Sequence, residues 1–174
     1  MIKPIVIICF VCLSGIVQSQ EVHWMSFSQM QEAQKRAPRR VIVDIFTDWC
    51  GWCKKLDKDV YENPIIASYI NQHFYALKLN AEKEGPIYFK NDSFKLEPNS
   101  PRKLTHKLAT FLMNNRSAYP TTALLDEKLN IYSSIPGYME PKEYDAVLHY
   151  FVGNVHLKQT WEEYKATFVS EVKQ

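Results

Sequence analysis

The sequence predicts an α/β fold in which helices cover both faces of a central mixed β-sheet. The run "RVIVDIFT" (40–47) is apolar and β-branched, which is typical of a central strand buried on both faces. A second such run, "FYALKLN" (74–80), follows helical sequence, and this order implies a parallel pair joined by a right-handed crossover. The segments "TTALLD" and "NIYSSI" flank a charged turn at 126–128 and predict an antiparallel pair, which makes the sheet mixed.

The helices of this fold are marked by capping residues, prolines and apolar spacing. Ser26 followed by Gln29 is a capping-box pattern, and it starts an N-terminal helix predicted over about 27–37. Pro38 ends that helix because the residue before a proline is disfavoured in helical geometry. Further helices are predicted over 51–60, 64–73, 141–151 and 161–172.

The segment 81–118 is polar and is interrupted by proline and glycine. Within it, "IYFKNDSFKL" predicts a hairpin that turns at Asn91-Asp92. A helix is expected to start at Ser100-Pro101 and to carry one apolar face, formed by Leu104, Leu108, Phe111 and Leu112.

The first 19 residues have the pattern of a secretory signal peptide. Lys3 precedes a nearly unbroken apolar run from Ile5 to Val17, and small uncharged residues follow before Gln20. The run is shorter than the roughly 20 residues that span a bilayer. We therefore expect a signal peptide at 1–19, a domain at 20–174, and export to the periplasm or another extracytoplasmic space. An uncleaved membrane anchor is the alternative.

Composition and charge exclude other classes of protein. Hydrophobic residues make up 46% of the 174 residues and charged residues 23%, which is typical of one globular domain. The formal net charge of +2 argues against a nucleic-acid surface, which requires a concentrated basic face.

The stretch "TDWCGWCKK" (47–55) contains Cys50 and Cys53, the two cysteines that remain after signal cleavage. Three residues apart on a helix, two side chains share a face and lie within disulfide reach. Unpaired N–H groups and the helix dipole favour a thiolate at a helix N-terminus. We therefore expect a dithiol–disulfide exchange site at an exposed helix end, where Cys50 attacks and Cys53 resolves the mixed disulfide.

Two other interpretations of the cysteine pair remain. A structural zinc site needs four ligands, and the five histidines show no spacing directed at the pair, so we expect no metal. A purely structural disulfide would close a loop of only four residues, which restricts the unfolded chain very little.

The run "VIVDIFTDWCGWCK" closely resembles the active-site strand and turn of the thioredoxin superfamily. "ALKLN" resembles its next strand, "YPT" (119–121) its cis-proline segment, and "IPGY" (135–138) its last strand and glycine. The resemblance covers roughly 38–152, and "KKLDKDVYENPIIASYINQHF" further resembles exported bacterial proteins akin to periplasmic thiol:disulfide interchange domains. It implies a thioredoxin-like fold in which 81–118 is an insertion that either narrows access to Cys50 or is a surface elaboration.

Asp44 and Lys78 interrupt two apolar strands. Asp44 lies on the same side of its strand as Ile42 and Phe46, and burial should raise the pKa of its carboxyl. The resemblance implies that Asp44 accepts the proton of Cys53 during resolution and that Lys78 is its charge partner. The alternatives are an edge-facing or merely paired aspartate and a solvent-facing lysine.

The resemblance also implies a substrate-contacting surface around the sulfurs. A cis bond is implied before Pro120, with the backbone of Tyr119 pairing with an extended substrate segment; an ordinary trans proline is the alternative. Trp49, Trp52 and Tyr119 would supply apolar surface around the sulfurs. The same implied surface includes Gly51 and Thr121.

The dipeptide Gly51-Trp52 departs from the family patterns, because the cytosolic reductant has Gly-Pro there and the strong oxidants have a histidine. Relatives span about −270 to about −120 mV, and the missing histidine places this protein toward the reducing end, although Lys54 and Lys55 favour the thiolate. We therefore expect an exported protein-disulfide reductant, without cofactor, monomeric, and supplied by a membrane electron-donor protein. A non-enzymatic peptide-binding module and a thiol peroxidase are the competing interpretations.

Overall fold

The computed structural model describes residues 21–100 and 103–173, and the expected signal peptide at 1–19 lies outside them. A four-stranded mixed sheet forms the centre, and its strands, numbered in chain order, are β1 (Arg40–Phe46), β2 (Phe74–Asn80), β7 (Thr121–Leu125) and β8 (Ile131–Pro136). Strand β1 pairs in parallel with β2 and antiparallel with β7, which pairs antiparallel with β8. The order of the strands across the sheet is β2-β1-β7-β8. The predicted mixed α/β sheet is confirmed.

Helices cover both faces of this sheet. They are α1 (Phe27–Arg36), α2 (Gly51–Leu56), α3 (Pro64–His73), α4 (Lys107–Leu112), α5 (Pro141–Val152) and α6 (Trp161–Thr167). A π-helical segment at Asp57–Tyr61 continues α2, and a short 3₁₀ turn spans Val155–Leu157. In the described part of the chain, no helix is both long enough and apolar enough to cross a bilayer.

The alternation of side chains along β1 divides the core into two layers. Ile42 faces a cluster that includes Leu56 of α2 together with residues of α3 and α5. Val41 and Val43 face the opposite cluster, to which α1 and α4 contribute. Because successive side chains of a strand point to opposite faces, Asp44 lies on the same face as Ile42, toward α2.

The segment between β2 and β7 contains two small hairpins and α4. Its strands are β3 (Ile87–Phe89), β4 (Asp92–Phe94), β5 (Leu96–Ser100) and β6 (Lys103–His106). The first hairpin turns at Lys90-Asn91, one residue earlier than predicted, because Phe89 pairs with Asp92 and Lys90 takes a positive φ of 58°.

The helix predicted from Ser100-Pro101 was wrong at its start. Residues 103–106 pair with β5, and the helix begins after His106, whose Nδ1 accepts a hydrogen bond from Leu108 N at 3.2 Å. Leu108 is buried but Leu104 is half exposed, so the predicted apolar face is only partly formed. Helical spacing of leucines does not exclude a strand when a neighbouring segment supplies hydrogen-bond partners.

The last helix is shorter than predicted, since α6 ends at Thr167 rather than near 172. The chain beyond it is held against α5, where Ser170 Oγ donates a hydrogen bond to Asp145 Oδ2 at 2.5 Å. Val172 is buried in the core cluster on that side. Tertiary contacts with α5 therefore replace the last helical turn.

Candidate active site

Cys50 and Cys53 are joined by a disulfide at the beginning of α2. Cys50 is the N-cap residue of the helix, and its Sγ accepts a hydrogen bond from the backbone N–H of Cys53 at 3.1 Å. An N–H in this position favours the charged form of the Cys50 thiol when the disulfide is reduced. The helix start thus directs its hydrogen-bonding capacity to the first cysteine.

The expectation of an exposed cysteine pair was wrong, since Cys50 retains 4% of its accessible surface and Cys53 3%. The flanking side chains Trp49 and Trp52 are instead exposed, at 64% and 59%. Tyr119 in the loop before β7 and Tyr138 in the loop after β8 pack against these two indoles. The disulfide therefore lies recessed between two large aromatic side chains.

We define the aromatic rim as Trp49, Trp52, Tyr119 and Tyr138. The Trp49 ring meets Tyr119 edge-on with centroids 5.9 Å apart, and the Trp52 ring lies 5.4 Å from Tyr138. The two tyrosine loops are joined to each other, since Gly137 N donates to Pro120 O at 2.8 Å. The rim is thus assembled from the cysteine turn and from both loops.

Each side of the aromatic rim is fixed by a hydrogen bond to a residue that is not part of the rim. Trp49 Nε1 donates to Glu82 Oε2 at 2.8 Å, and Tyr138 Oη donates to Asp59 Oδ2 at 2.7 Å. Lys55 pairs with Asp59, and its ammonium lies 4.7 Å from the centre of the Tyr138 ring. The charge of Lys55 is therefore engaged with the rim.

The Tyr119–Pro120 peptide bond is cis, at the start of β7. Thr121 is buried, and its Oγ1 donates to Ala118 O at 2.7 Å, which fixes the turn before the strand. Gly51 is exposed at the first position of α2. The structure thus brings Gly51, the segment Tyr119–Thr121 and the two tryptophans to the same end of the sheet as the disulfide.

Asp44 lies in the middle of the central strand β1 with 1% of its surface exposed. It stands opposite Lys78 on β2 and opposite Thr122 on β7. Burial raises the pKa of the Asp44 carboxyl to about 6, the charge of Lys78 opposes this rise, and the charge of Asp57 adds to it. Asp44 therefore changes protonation state close to neutral pH.

Lys78 links two carboxylates. Its Nζ lies 3.3 Å from Asp44 Oδ2 and also pairs with Asp57 on the π-helical segment. The ammonium is surrounded by three aromatic rings at 5.1–5.6 Å from their centres, those of Trp24, Phe46 and Tyr61. A cavity of about 460 Å³ adjoins this group and is lined in part by Trp24, Asp57 and Tyr61.

The sequence analysis missed Asp57, Glu82 and Tyr138. Asp57 follows Cys53 by four residues, so helical spacing alone places it one turn below the second cysteine, and that signal was available. Glu82 and Tyr138 carried no local signal, because they meet the tryptophans through contacts between distant parts of the chain. Within residues 21–100 and 103–173, no three side chains of histidine, cysteine, aspartate or glutamate are arranged to hold a metal ion.

Comparison with known proteins identifies the family. A family model described as a thioredoxin-like domain matches residues 27–152. The chain belongs to the thioredoxin-like domain family. The predicted superfamily is thereby confirmed, and the match includes both cysteines, Asp44, Lys78 and the Tyr119–Pro120 loop.

Relatives and solved structures agree with this assignment. The chain is 30% identical over 61 residues to the thiol:disulfide interchange protein DsbD of Vibrio vulnificus, a match that covers 32% of this chain and 10% of that protein's length. A thioredoxin-fold protein from Helicobacter pylori superposes with a TM-score of 0.54 at 20% identity, covering 74% of this chain and 81% of the other. A structure named DsbH oxidoreductase gives 0.54 at 14% identity and covers 76% and 85%.

Within this family, the Cys50–Cys53 disulfide at C-x-x-C spacing supports a thiol–disulfide oxidoreductase. The two structural matches establish the fold, and their low identities carry no further function.

The titration of Asp44 predicts a pH-dependent stability of the oxidised protein. The folded pKa of about 6 exceeds the ordinary value of 3.8, so between these values the folded state binds the proton more strongly than the unfolded state. Stability is therefore lost as pH rises through this window. The stability advantage of Asp44→Asn over the unmodified protein should grow by roughly 2 kcal/mol between pH 4 and pH 7. Urea unfolding at each pH measures the free energy of unfolding of both proteins. A difference between them that does not change with pH would contradict the raised pKa.

Proposed function

We propose that the protein is an exported thiol–disulfide oxidoreductase that reduces disulfides of other proteins. The observation that carries this proposal is the Cys50–Cys53 disulfide at the start of α2, recessed within an aromatic rim and located on the sheet end that also holds the Tyr119–Pro120 loop. Both sulfurs are within bonding distance of each other, so the pair can cycle between disulfide and dithiol without a cofactor.

The reaction begins with the dithiol form. The Cys50 thiolate attacks one sulfur of a substrate disulfide, forms a mixed disulfide and releases the other substrate sulfur as a thiolate. The Cys53 thiol then loses its proton and attacks Cys50 Sγ, which reforms the Cys50–Cys53 bond and releases the second substrate thiolate. Two electrons pass to the substrate, and each released thiolate takes up a proton.

Asp44 is the proposed acceptor of the Cys53 proton. It lies on the sheet face covered by α2, and its pKa of about 6 leaves it largely ionised at pH 7 while still able to hold a proton. Lys78 holds one oxygen of the Asp44 carboxylate and limits the rise of its pKa. The buried pair thus supplies a base beneath a thiol that solvent does not reach freely.

The aromatic rim is proposed to select substrates. Because the sulfurs are recessed, a substrate disulfide must reach them between Trp49 and Trp52, which favours a disulfide in an extended or mobile segment. The backbone of Tyr119 and the neighbouring Gly51 and Thr121 would contact that segment. Trp49 depends on Glu82 at the beginning of the insertion, so the insertion contributes to the entrance.

Export, partners and domain organisation belong to the same proposal. The signal-like residues 1–19 support export, with 20–174 as the mature domain and a monomer as the working unit. A reductant outside the cytosol needs a donor, and the resemblance to the DsbD interchange protein supports a membrane electron-donor protein as that partner.

Trapping tests the exchange chemistry. In Cys53→Ser the first attack still occurs but resolution is blocked, so mixed disulfides between Cys50 and substrate proteins should accumulate. Non-reducing gels and mass spectrometry of the adducts measure this. The matched control, Cys50→Ser, should give no adducts. Unchanged binding of peptides by both variants without adducts would support a non-enzymatic binding module, and peroxide consumption without a dithiol substrate would support a peroxidase.

The proton role of Asp44 predicts which step slows. Asp44→Ala should slow resolution by roughly 10²-fold because the Cys53 thiol loses its base, and should slow the first attack much less. Stopped-flow measurement of the fluorescence change of a fluorescent disulfide substrate separates the two steps. Asp92→Ala, at an exposed hairpin residue, is the control. Equal slowing of both steps would contradict a specific role in deprotonating Cys53.

The direction of electron flow predicts a reduction potential nearer to about −270 mV than to about −120 mV. Trp52→His should raise the potential by roughly 30 mV or more, because a histidine in this position stabilises the reduced thiolate. Trp52→Phe keeps an aromatic residue and should leave the potential close to that of the unmodified protein. Equilibration with glutathione measures the reduction potentials of the unmodified protein and of both variants. A value near about −120 mV for the unmodified protein would overturn the reductant assignment.

A further inference from the structure

His106 is the last residue of β6 and the N-cap residue of α4, and none of its surface is exposed. Its backbone N–H donates to Ala81 O at 2.7 Å, and its ring atom Nε2 lies 3.0 Å from Gly85 O. Both acceptors belong to residues 81–85, which we call the entrance loop and which lead from β2 into the insertion. One buried residue therefore holds the entrance loop at its first and at its last position.

Both nitrogens of the His106 ring take part in hydrogen bonds. Leu108 N–H donates to Nδ1 at 3.2 Å, so Nδ1 acts as an acceptor and carries no proton. The ring proton of a neutral histidine then lies on Nε2, which donates a hydrogen bond to Gly85 O. Burial lowers the pKa of His106, against the opposing effects of the hydrogen bond to Gly85 and of the Glu84 charge. The ring is therefore neutral at pH 7 and is held in one tautomer.

The entrance loop carries the contacts that fix the Trp49 side of the aromatic rim. Glu82 Oε2 accepts a hydrogen bond from Trp49 Nε1 at 2.8 Å. Lys83, the next residue of the loop, pairs with Asp48 in the turn before the cysteines. The position of the loop thus determines where the Trp49 indole is held.

The two halves of the entrance loop are held by different residues. In the first half, Glu82 N–H donates to Asn80 Oδ1 at 3.1 Å. In the second half, the backbone of 83–85 makes one hydrogen bond to another segment among the described residues, the one between Gly85 O and His106 Nε2. Within this part of the chain, the imidazole is therefore the anchor of the second half.

We propose that His106 is a positioning residue that determines substrate specificity, because it holds the entrance loop in the place from which Glu82 fixes the Trp49 indole. This inference rests on the proposed function, in which a substrate disulfide passes between Trp49 and Trp52. A fixed Trp49 side keeps that passage narrow, so that it admits disulfides in extended segments and excludes those on compact surfaces. His106 acts through the loop and not on the reacting sulfurs.

A histidine meets two requirements at this position with one side chain. The helix start needs an acceptor close to the backbone, which Nδ1 supplies as the N-cap group. The entrance loop needs a donor farther from the backbone, which Nε2 supplies. Asparagine offers an acceptor near the position of Nδ1 without the reach of Nε2, and glutamine offers that reach without a group at Nδ1. These two substitutions therefore separate the helix cap from the loop anchor.

The charged groups near the His106 ring lie on the entrance loop, on β5 and at the start of α4. They are Glu82, Lys83, Glu84, Glu97 and Lys107. The Glu84 carboxylate favours the protonated ring and so acts on the pKa of His106. The other four are engaged in the contacts with the Trp49 turn and in the pair between Glu97 and Lys107. Apart from Glu84, these charges are therefore compensated by other partners.

Protonation of the ring would release the entrance loop. A second ring proton on Nδ1 would face the N–H of Leu108, so that two donors would meet at the helix start. The ring would then have to turn, and its hydrogen bond to Gly85 O would be lost. Acidic pH is therefore expected to free the second half of the loop and to widen the entrance.

The first test measures how firmly Trp49 is held in the oxidised protein. His106→Asn keeps a cap acceptor but loses the bond to Gly85, so the indole N–H of Trp49 should exchange with solvent about fivefold faster, the equivalent of one neutral hydrogen bond. His106→Gln keeps a donor within reach of the loop and should exchange as the unmodified protein does. NMR measures the exchange, with the indole N–H of Trp52 as an internal reference that stays unchanged.

A merely structural role of His106 predicts the opposite order of the two variants. Glutamine removes the cap acceptor, so His106→Gln should be less stable to urea than His106→Asn. A general loosening of the protein would therefore speed Trp49 exchange most in the glutamine variant. That result, or unchanged Trp49 exchange in His106→Asn, would overturn the proposal.

The second test measures specificity in the dithiol form. The rate constants of the first attack are compared for an extended peptide disulfide and for a disulfide on the surface of a compact folded protein. Their ratio cancels the ionisation of Cys50, which affects both reactions equally. His106→Asn should lower this ratio about fivefold, whereas His106→Gln should keep it.

The same ratio predicts a pH dependence that belongs to His106. In the unmodified protein, the ratio should fall with pH through the midpoint at which imidazole NMR shows His106 to take up its proton. In His106→Asn it should not depend on pH. A ratio that stays constant in the unmodified protein while His106 titrates would contradict the link between the ring and the entrance.

The two tests separate this inference from the proposed function. If the unmodified protein exchanges no disulfides, the proposed function fails, while exchange of the Trp49 indole N–H still decides on the loop anchor. If disulfides are exchanged and the ratio is the same in all three proteins, the role of His106 in specificity is overturned.

Discussion

The burial of the Asp44 carboxyl in the central strand is the constraint on which the site depends. A charged group in this position is costly, and the structure offsets part of the cost with Lys78 across the parallel pair. The compensation is incomplete, since burial still raises the pKa of Asp44 to about 6. A core that compensated the charge fully would hold an inert ion pair, whereas this one holds a group that can exchange a proton near neutrality.

The recessed position of the disulfide is associated with the loops that meet at this end of the sheet. The cysteine turn leaves β1, and the loops before β7 and after β8 return to it from the neighbouring strands. Their tyrosines pack on the two tryptophans that flank the buried cysteines. In the proposed function, reactivity and access are therefore controlled by different parts of the molecule. The helix start faces the sulfur of Cys50, and the aromatic rim selects the substrates that reach it.

The insertion between β2 and β7 is connected to this entrance through its first residues. Besides the hydrogen bond from Trp49 to Glu82, Lys83 pairs with Asp48, and Asn80 Nδ2 donates to Asp48 Oδ1 at 2.6 Å. These contacts fasten the turn before the cysteines to the end of β2. The hairpins beyond them pack toward α1, where Gln31 Nε2 donates to Tyr88 O at 2.8 Å. Of the two interpretations of the insertion, the contacts favour an influence on access to Cys50.

The sequence by itself determined the parallel and the antiparallel strand pair, the cysteine helix and the candidate base, because each has a recognisable local sequence pattern. An apolar β-branched run is typical of a buried strand, and a charged residue within it marks a special position, as Asp44 and Lys78 do. Only the tertiary structure decided that the sulfurs are recessed, that Asp57 shares Lys78, and that His106 holds the entrance loop at both of its ends. These features depend on which distant side chains come together across the core, and residue spacing along the chain holds no information about such distances.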